Sequence, residues 1–137
     1  MIWSDVYAFM AMAAMHKGLA GIVLNGAVRD AEKLRAEQWP VFAASIYAQQ
    51  CRKDGPAWLQ MTIDCAGVSV HPGDLIVGDD DGVVVVPLLS IASVAKEVVK
   101  KMEKERLRIA SISQGFISPA WLDVAIERAG LVLSVNQ

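Results

Sequence analysis

The sequence predicts an α/β fold, on the strength of three patterns. Ala20-Gly-Ile-Val-Leu24 is a short, wholly apolar run of the kind that forms a strand buried on both faces. Residues 67–86 are a string of aliphatic runs separated by turns rich in Gly, Pro and Asp. Ile91, Val94, Ala95, Val98, Val99 and Met102 keep helical spacing. Buried strand, β meander and amphipathic helices together make a mixed fold, and 137 residues fit one domain spanning positions 1–137.

In chain order, Ser4 can cap a helix over residues 5–17, with Asp5 near its start and Lys17 near its end to suit the helix dipole and Gly18 as its left-handed stop. The strand at 20–24 is expected to end in a turn at Asn25-Gly26. A second helix runs from Asp30 to about residue 37, and Trp39-Pro-Val-Phe-Ala43 reads as the next strand. Lys53-Asp-Gly-Pro56 is a strong turn signal, and Trp58-Leu-Gln-Met-Thr62 reads as a strand after it. The runs 67–70, 75–77 and 83–86, joined at His71-Pro-Gly-Asp74 and Asp79-Asp-Asp-Gly82, read as one compact β meander. Beyond Pro87 the helical pattern begins, and the charged run from Lys100 to Arg108 reads as the solvated end of that same helix. A last helix follows Ser118-Pro119 and ends near Gly130.

Thirteen basic against fifteen acidic residues give a net charge of -2, with a pI near 5.6. Such a chain has no polycationic face to neutralise a phosphate backbone, so no direct nucleic-acid binding is expected. Hydrophobic residues make up 54% and the mean hydropathy is +0.36, so part of the apolar surface is expected to be covered by another subunit of a homo-oligomer. Cys51 and Cys65 have neither a Cys-x-x-Cys partner nor histidines at zinc spacing, which predicts reduced thiols in a cytoplasmic protein. The apolar stretch 7–15 is far shorter than the ~20 residues that cross a bilayer, so no membrane role is expected.

Gly26-Ala-Val-Arg-Asp30 sits where a buried strand hands over to a helix, the place where α/β proteins tend to hold ligands. Arg29 there can bind a carboxylate in bidentate fashion and Asp30 can hold a hard cation; equally, Asp30 can simply cap its helix and Arg29 make a surface ion pair. Asp79-Asp-Asp-Gly82 is a hairpin turn rather than a calcium loop, because calcium loops alternate ligands with spacers. His16 and His71 have no partner at metal-ligand spacing.

Three segments in order and spacing resemble one family: Gly21-Ile-Val-Leu-Asn-Gly-Ala-Val-Arg-Asp30, Trp39-Pro-Val-Phe-Ala43, and the block from Gly67-Val-Ser-Val-His-Pro-Gly-Asp through Gly-Val-Val-Val-Val-Pro87. It is the family of the regulator of ribonuclease activity A and the 4-hydroxy-4-methyl-2-oxoglutarate/4-carboxy-4-hydroxy-2-oxoadipate aldolases. The helical tail over about 104–137, with Lys104 to Gly115, Asp123 and Ala129-Gly-Leu-Val132, resembles the aldolase branch.

The resemblance implies a layered β/β/α swivelling domain assembled as a homotrimer or homohexamer with sites between subunits. It implies that Arg29 contacts the pyruvyl unit as the catalytic and substrate-binding cation, and that Asp30 ligates Mg²⁺ or Mn²⁺. It also implies that Ser4, in the piece matching the family's carboxylate-binding loop, touches a small 2-oxo acid substrate. The expected chemistry is retro-aldol release of pyruvate, with oxaloacetate decarboxylation as a side activity; the alternative is a non-catalytic regulatory binder or an inactive homologue. Relatives carry a further N-terminal segment before the position of Trp3, so the resemblance implies that the chain lacks that segment. The aldolases also place an acidic residue 21 positions before the arginine, which counts back to Ala8 here; Asp5, about one helical turn earlier, is the residue assigned to support the metal. The acidic residue that usually follows the Arg-Asp pair is Lys33.

Overall fold

The structure, a computed structural model, describes residues 8–48 and 58–130. The chain divides into two compact units, Met1–Ile91 and Ala92–Gln137.

In the first unit, helix α1 (Ala8–His16) leads into strand β1 (Ile22–Val28), helix α2 (Ala31–Ala36) and strand β2 (Val41–Ile46). The stop at Gly18 takes the expected form: Gly18 has φ 76°, its N–H donates to Met15, and the Leu19 N–H reaches back to Ala14 at 3.1 Å. Ser4 and Asp5 lie outside the described residues. β1 and β2 pair in parallel across the α2 crossover, starting at Ile22 opposite Val41. The start of that pair is tight, because a Cβ on Gly21 would lie 2.9 Å from the Pro40 carbonyl oxygen, which also accepts from the Ile22 N–H at 2.9 Å. The Trp39 indole N–H donates to the Leu19 carbonyl at 3.0 Å and ties the start of β2 to the end of the α1 segment. A small core of Ala8, Ala11, Leu24, Val28 and Leu34 joins α1, β1 and α2, with Ile22, Trp39 and Val41 packed on it.

One expected turn is instead part of a strand. β1 runs straight through Asn25-Gly26, and its register against β2 slips by one residue between Leu24/Ala43 and Ala27/Ser45. The permissive dipeptide accommodates an extra residue, a β-bulge, because the partner strand is parallel and no hairpin closes here.

The expected strand at 58–62 is also absent: Gln60 has φ 56°, which breaks extended backbone, and the strand begins one residue later as β3 (Ile63–Cys65). β3 pairs antiparallel with β4 (Val68–Val70) through Ala66 and Gly67, both at positive φ. β5 (Leu75–Asp79) pairs with β6 (Gly82–Val86), and the Asp79 carboxylate accepts from the Asp81 N–H at 2.9 Å, so the acidic run is a hairpin turn. The expected single meander is therefore two separate hairpins, since β4 and β5 share no ladder. Phe42 of β2 rests on Gly78 of β5, where a Cβ would come within 2.6 Å of the ring.

Asp74 fastens the turn between the hairpins. Its two carboxylate oxygens accept from the His71 N–H at 2.8 Å and the Leu88 N–H at 3.0 Å, while the Thr62 hydroxyl meets the His71 Nδ1 at 2.8 Å. The backbone donors of His71 and then Leu88 hold the Asp74 carboxyl below its ordinary value. A lowered folded-state pKa means that this stabilisation is complete above the ordinary carboxylate pKa of about 3.9 and is lost as pH falls through the lowered value. Asp74→Ala is expected to melt at a lower temperature than the parent at pH 7, with the gap closing below about pH 4. Parallel melting curves across that range would remove Asp74 from the account.

In the second unit, helix α3 (Ile91–Ser113) carries the charged run as its own continuation, with Lys100–Glu97 and Arg106–Glu103 ion pairs along it. Gly115, at φ 93°, stops α3, and helix α4 (Ala120–Arg128) follows. The Arg108 guanidinium donates to the carbonyls of Phe116 and Ile117 in the connection. No helix among the described residues is long and apolar enough to cross a membrane.

Candidate active site at the end of strand β1

Arg29 and Asp30 occupy the step from the C-terminal end of β1 to α2. The Asp30 carbonyl accepts from the Leu34 N–H at 3.0 Å and so starts the helix. Its side chain does not cap it. Asp30 sits at φ 59° and ψ 37°, a left-handed conformation that aspartate tolerates better than most residues but still at some cost, and makes no side-chain cap hydrogen bond. The capping reading of Asp30 is corrected on this point, because the left-handed backbone turns the carboxylate away from the α2 amides.

The carboxylate points back towards α1 instead. Oδ2 accepts from the Ala8 N–H at 3.4 Å and lies 4.0 Å from the Arg29 Nε, while Oδ1 makes no hydrogen bond with the described residues. The Arg29 side chain is 31% exposed with its Nε buried, and Asp30 is 46% exposed, so the pair combines a partly withdrawn cation with a reachable oxygen donor. Such an arrangement can hold a carboxylate on the guanidinium and a hard cation on the aspartate.

Among the described residues no group of three or more His, Cys, Asp or Glu side chains could enclose a metal ion. Asp30 offers one hard oxygen donor, the kind of ligand Mg²⁺ takes, since that ion keeps several waters and uses one or two carboxylates.

Two neighbours of the pair depart from an acidic site. Ala8, at the position 21 residues before Arg29, is 2% exposed and lies against Asp30, so the structure puts a buried methyl group there. Lys33 points its ammonium at the Phe9 ring, 4.9 Å from the centroid, and so ties α2 to α1. No sequence signal joins these two distant residues. A separate cleft of about 280 Å³ runs between α2 and the strands, lined by Val28, Leu34, Arg35, Trp39, Val41 and Ser45 among others; neither Arg29 nor Asp30 lines it.

Residues 6–85 match the family described as RraA-like, Aldolase/RraA. The chain belongs to this family. The match includes Arg29, Asp30, the first hairpin and all of the second but Val86, and it ends before α3. A relative from Halalkalibacterium halodurans, named provisionally as a 4-hydroxy-4-methyl-2-oxoglutarate aldolase, is 36% identical over 101 residues, covering 74% of this chain and 48% of the relative. Among solved structures, an uncharacterised Pseudomonas syringae protein superposes with a TM-score of 0.76 at 28% identity, covering 82% of this chain and 56% of the other. Streptomyces coelicolor RraAS2, described as an unusual member of the RNase ES inhibitor RraA protein family, gives 0.65 at 29% identity, covering 78% and 57%. The chain thus spans about half the length of the RraA-like proteins it matches, and its mixed helix and strand architecture is the RraA-like α/β fold.

Proposed function

We propose that this chain carries the Arg29–Asp30 part of a divalent-metal pyruvate aldolase site acting on 4-hydroxy-2-oxo acids such as 4-hydroxy-4-methyl-2-oxoglutarate and 4-carboxy-4-hydroxy-2-oxoadipate. The observation that carries the reading is the Asp30 carboxylate, which is held in a left-handed backbone, unused as a helix cap, half-exposed and 4.0 Å from Arg29. A helix cap alone requires none of these features.

In the proposed reaction the 4-hydroxyl proton is removed, the C3–C4 bond breaks, and its electron pair forms the enolate of pyruvate, which takes a proton at C3. Asp30 would hold Mg²⁺ or Mn²⁺, and the ion supplies Lewis-acid polarisation of the 2-oxo group. Arg29 contributes a fixed positive charge beside the developing oxyanion and a bidentate grip on a substrate carboxylate. Decarboxylation of oxaloacetate passes through the same enolate and is the natural side reaction. Ser4 and Asp5, assigned to the carboxylate and the metal by resemblance, lie outside the described residues. A homotrimer or homohexamer is part of the proposal, supported by an α1 that is apolar on every side yet leaves Phe9 67% and Met10 44% exposed.

Pyruvate release from 4-hydroxy-4-methyl-2-oxoglutarate and from oxaloacetate tests the reading: it should stop with EDTA and return with Mg²⁺ or Mn²⁺. Turnover that survives EDTA would exclude the metal. A second reading, a non-catalytic binding role, draws on the likeness to Streptomyces coelicolor RraAS2. No pyruvate release under any metal condition would favour it.

A further inference from the structure

Helix α1 has no polar side to orient it. Its sequence from Ala8 to His16 is Ala-Phe-Met-Ala-Met-Ala-Ala-Met-His, and a helix that is apolar all round has no stripe that selects the face it buries. One face is nevertheless selected: Ala8 and Ala11 are buried, while Phe9 and Met10 stand exposed. The hydrophobic effect is non-directional, so the packing of alanine methyl groups on Leu24, Val28 and Leu34 does little to fix how α1 is rotated.

That rotation matters to Asp30. The residue holds a left-handed backbone at φ 59°, and such a conformation persists only where its surroundings over-determine it. Its carboxylate accepts from the Ala8 N–H at 3.4 Å and lies 4.0 Å from the Arg29 Nε, both long contacts. Neither can keep the carboxylate in place unless the first turn of α1 is itself held. Lys33, three residues on from Asp30, sets its ammonium 4.9 Å from the centroid of the Phe9 ring, and Phe9 follows Ala8 directly. A cation over a ring face has a preferred geometry that methyl packing lacks. The chain from Asp30 to Lys33 thus takes hold of α1 twice, at the Ala8 backbone and at the Phe9 ring.

We propose that Lys33 and Phe9 are positioning residues of the site: their contact fixes the rotation of α1 and so keeps the Asp30 carboxylate on the Ala8 N–H, turned away from its own helix. The consequence for metal binding rests on the reading of Asp30 as the metal donor; the consequence for the Ala8 amide does not. The sign of the effect is diagnostic. As a point charge alone, Lys33 repels a cation held by Asp30, and its removal tightens metal binding. As a positioning residue, its removal loosens that binding.

The experiment follows Mn²⁺ binding by electron paramagnetic resonance and exchange of the Ala8 amide by NMR, in the full chain and in Lys33→Met, Lys33→Arg, Phe9→Leu and the Lys33→Met/Phe9→Leu double variant. Lys33→Met and Phe9→Leu are each expected to weaken Mn²⁺ binding about three- to tenfold and to speed Ala8 exchange severalfold. Lys33→Arg should stay within about twofold of the parent, because a guanidinium also rests on an aromatic face. The double variant should be no weaker than either single one, since the same contact is lost once. Unchanged or tighter Mn²⁺ binding in Lys33→Met, or a loss that Phe9→Leu does not share, would overturn the proposal. If the parent binds no Mn²⁺, the metal reading fails and the Ala8 amide decides: faster exchange in both single variants, restored by Lys33→Arg, supports the positioning role, and any other pattern overturns it.

Discussion

Asp30→Gly is expected to lower metal-dependent pyruvate release on the order of a hundredfold or more while changing stability by no more than about 1 kcal/mol. The two halves of that result have different causes. Removing the carboxylate removes the hard oxygen donor beside Arg29, and no neighbouring described residue can replace it, since Ala8 is a buried methyl and Lys33 is a cation turned to Phe9. Glycine, however, adopts the φ 59° of this position without steric cost, which offsets its greater entropy loss on folding and the loss of a long 3.4 Å hydrogen bond to Ala8. Asparagine also tolerates the left-handed region but lacks the charge, so Asp30→Asn should be as inactive as the glycine variant and as well folded. Asp30→Ala should be inactive and the least stable of the three. Arg29→Ala is expected to cost activity on a similar scale, and Arg29→Lys to recover little of it, because an ammonium cannot grip a carboxylate through two parallel bonds. Thermal melts and a coupled pyruvate assay separate these outcomes, and any Asp30 variant that keeps parental turnover would remove this residue from the site.

Gly21→Ala is expected to destabilise the fold by about 2 to 3 kcal/mol, and more than Gly78→Ala, although the new Cβ at Gly78 makes the closer contact. At Gly21 the added methyl meets the Pro40 carbonyl at 2.9 Å, and that same oxygen accepts the ladder bond from Ile22. The oxygen cannot retreat without loosening the first pair of the parallel ladder. At Gly78 the contacts are 2.6 and 2.8 Å, but they fall on the outer ring atoms of Phe42, which can swing aside. Urea unfolding of the two variants gives the order directly. A larger loss for Gly78→Ala would mean that the Phe42 ring is held more rigidly than the β1–β2 backbone.

The sequence was legible where a local rule has one structural answer. Gly18 stops its helix, and Asp79 to Gly82 turns a hairpin, because a glycine after a helical run and an aspartate at a tight turn have few other uses. It was illegible where one signal serves two structures. Asn25-Gly26 marks a tight turn between antiparallel strands and equally marks a bulge, and only the parallel partnership with β2 decides between them. The alternation in Trp58-Leu-Gln-Met-Thr62 is strand-like, but the left-handed backbone at Gln60 is set by the surroundings rather than by glutamine. Whether β4 would pair with β5 was beyond reach, since pairing is long-range. At the site, Arg29 and Asp30 were visible as residues of ligand-binding type at a strand end; that the aspartate turns its carboxylate from its own helix to Ala8 depends on the position of α1 and has no trace in the local sequence.

The extra residue in β1 is absorbed without disturbing the ladder on either side of it. From Leu24 to Ala27 strand β1 takes three steps where β2, from Ala43 to Ser45, takes two, yet Leu24 and Val28 on either side of the slip belong to the same small core. Deleting Gly26 would let β1 and β2 pair without interruption, and by ladder geometry alone the shortened chain would look better formed. Ala27 and Val28 could then keep Ser45 and Ile46 as their partners, so the deletion would shorten the strand before Arg29 without changing the register beyond it. The bulge is therefore slack confined to one strand: the ladder resumes beyond it, and the step to Arg29 and Asp30 starts from a strand end that is paired through Val28 and Ile46.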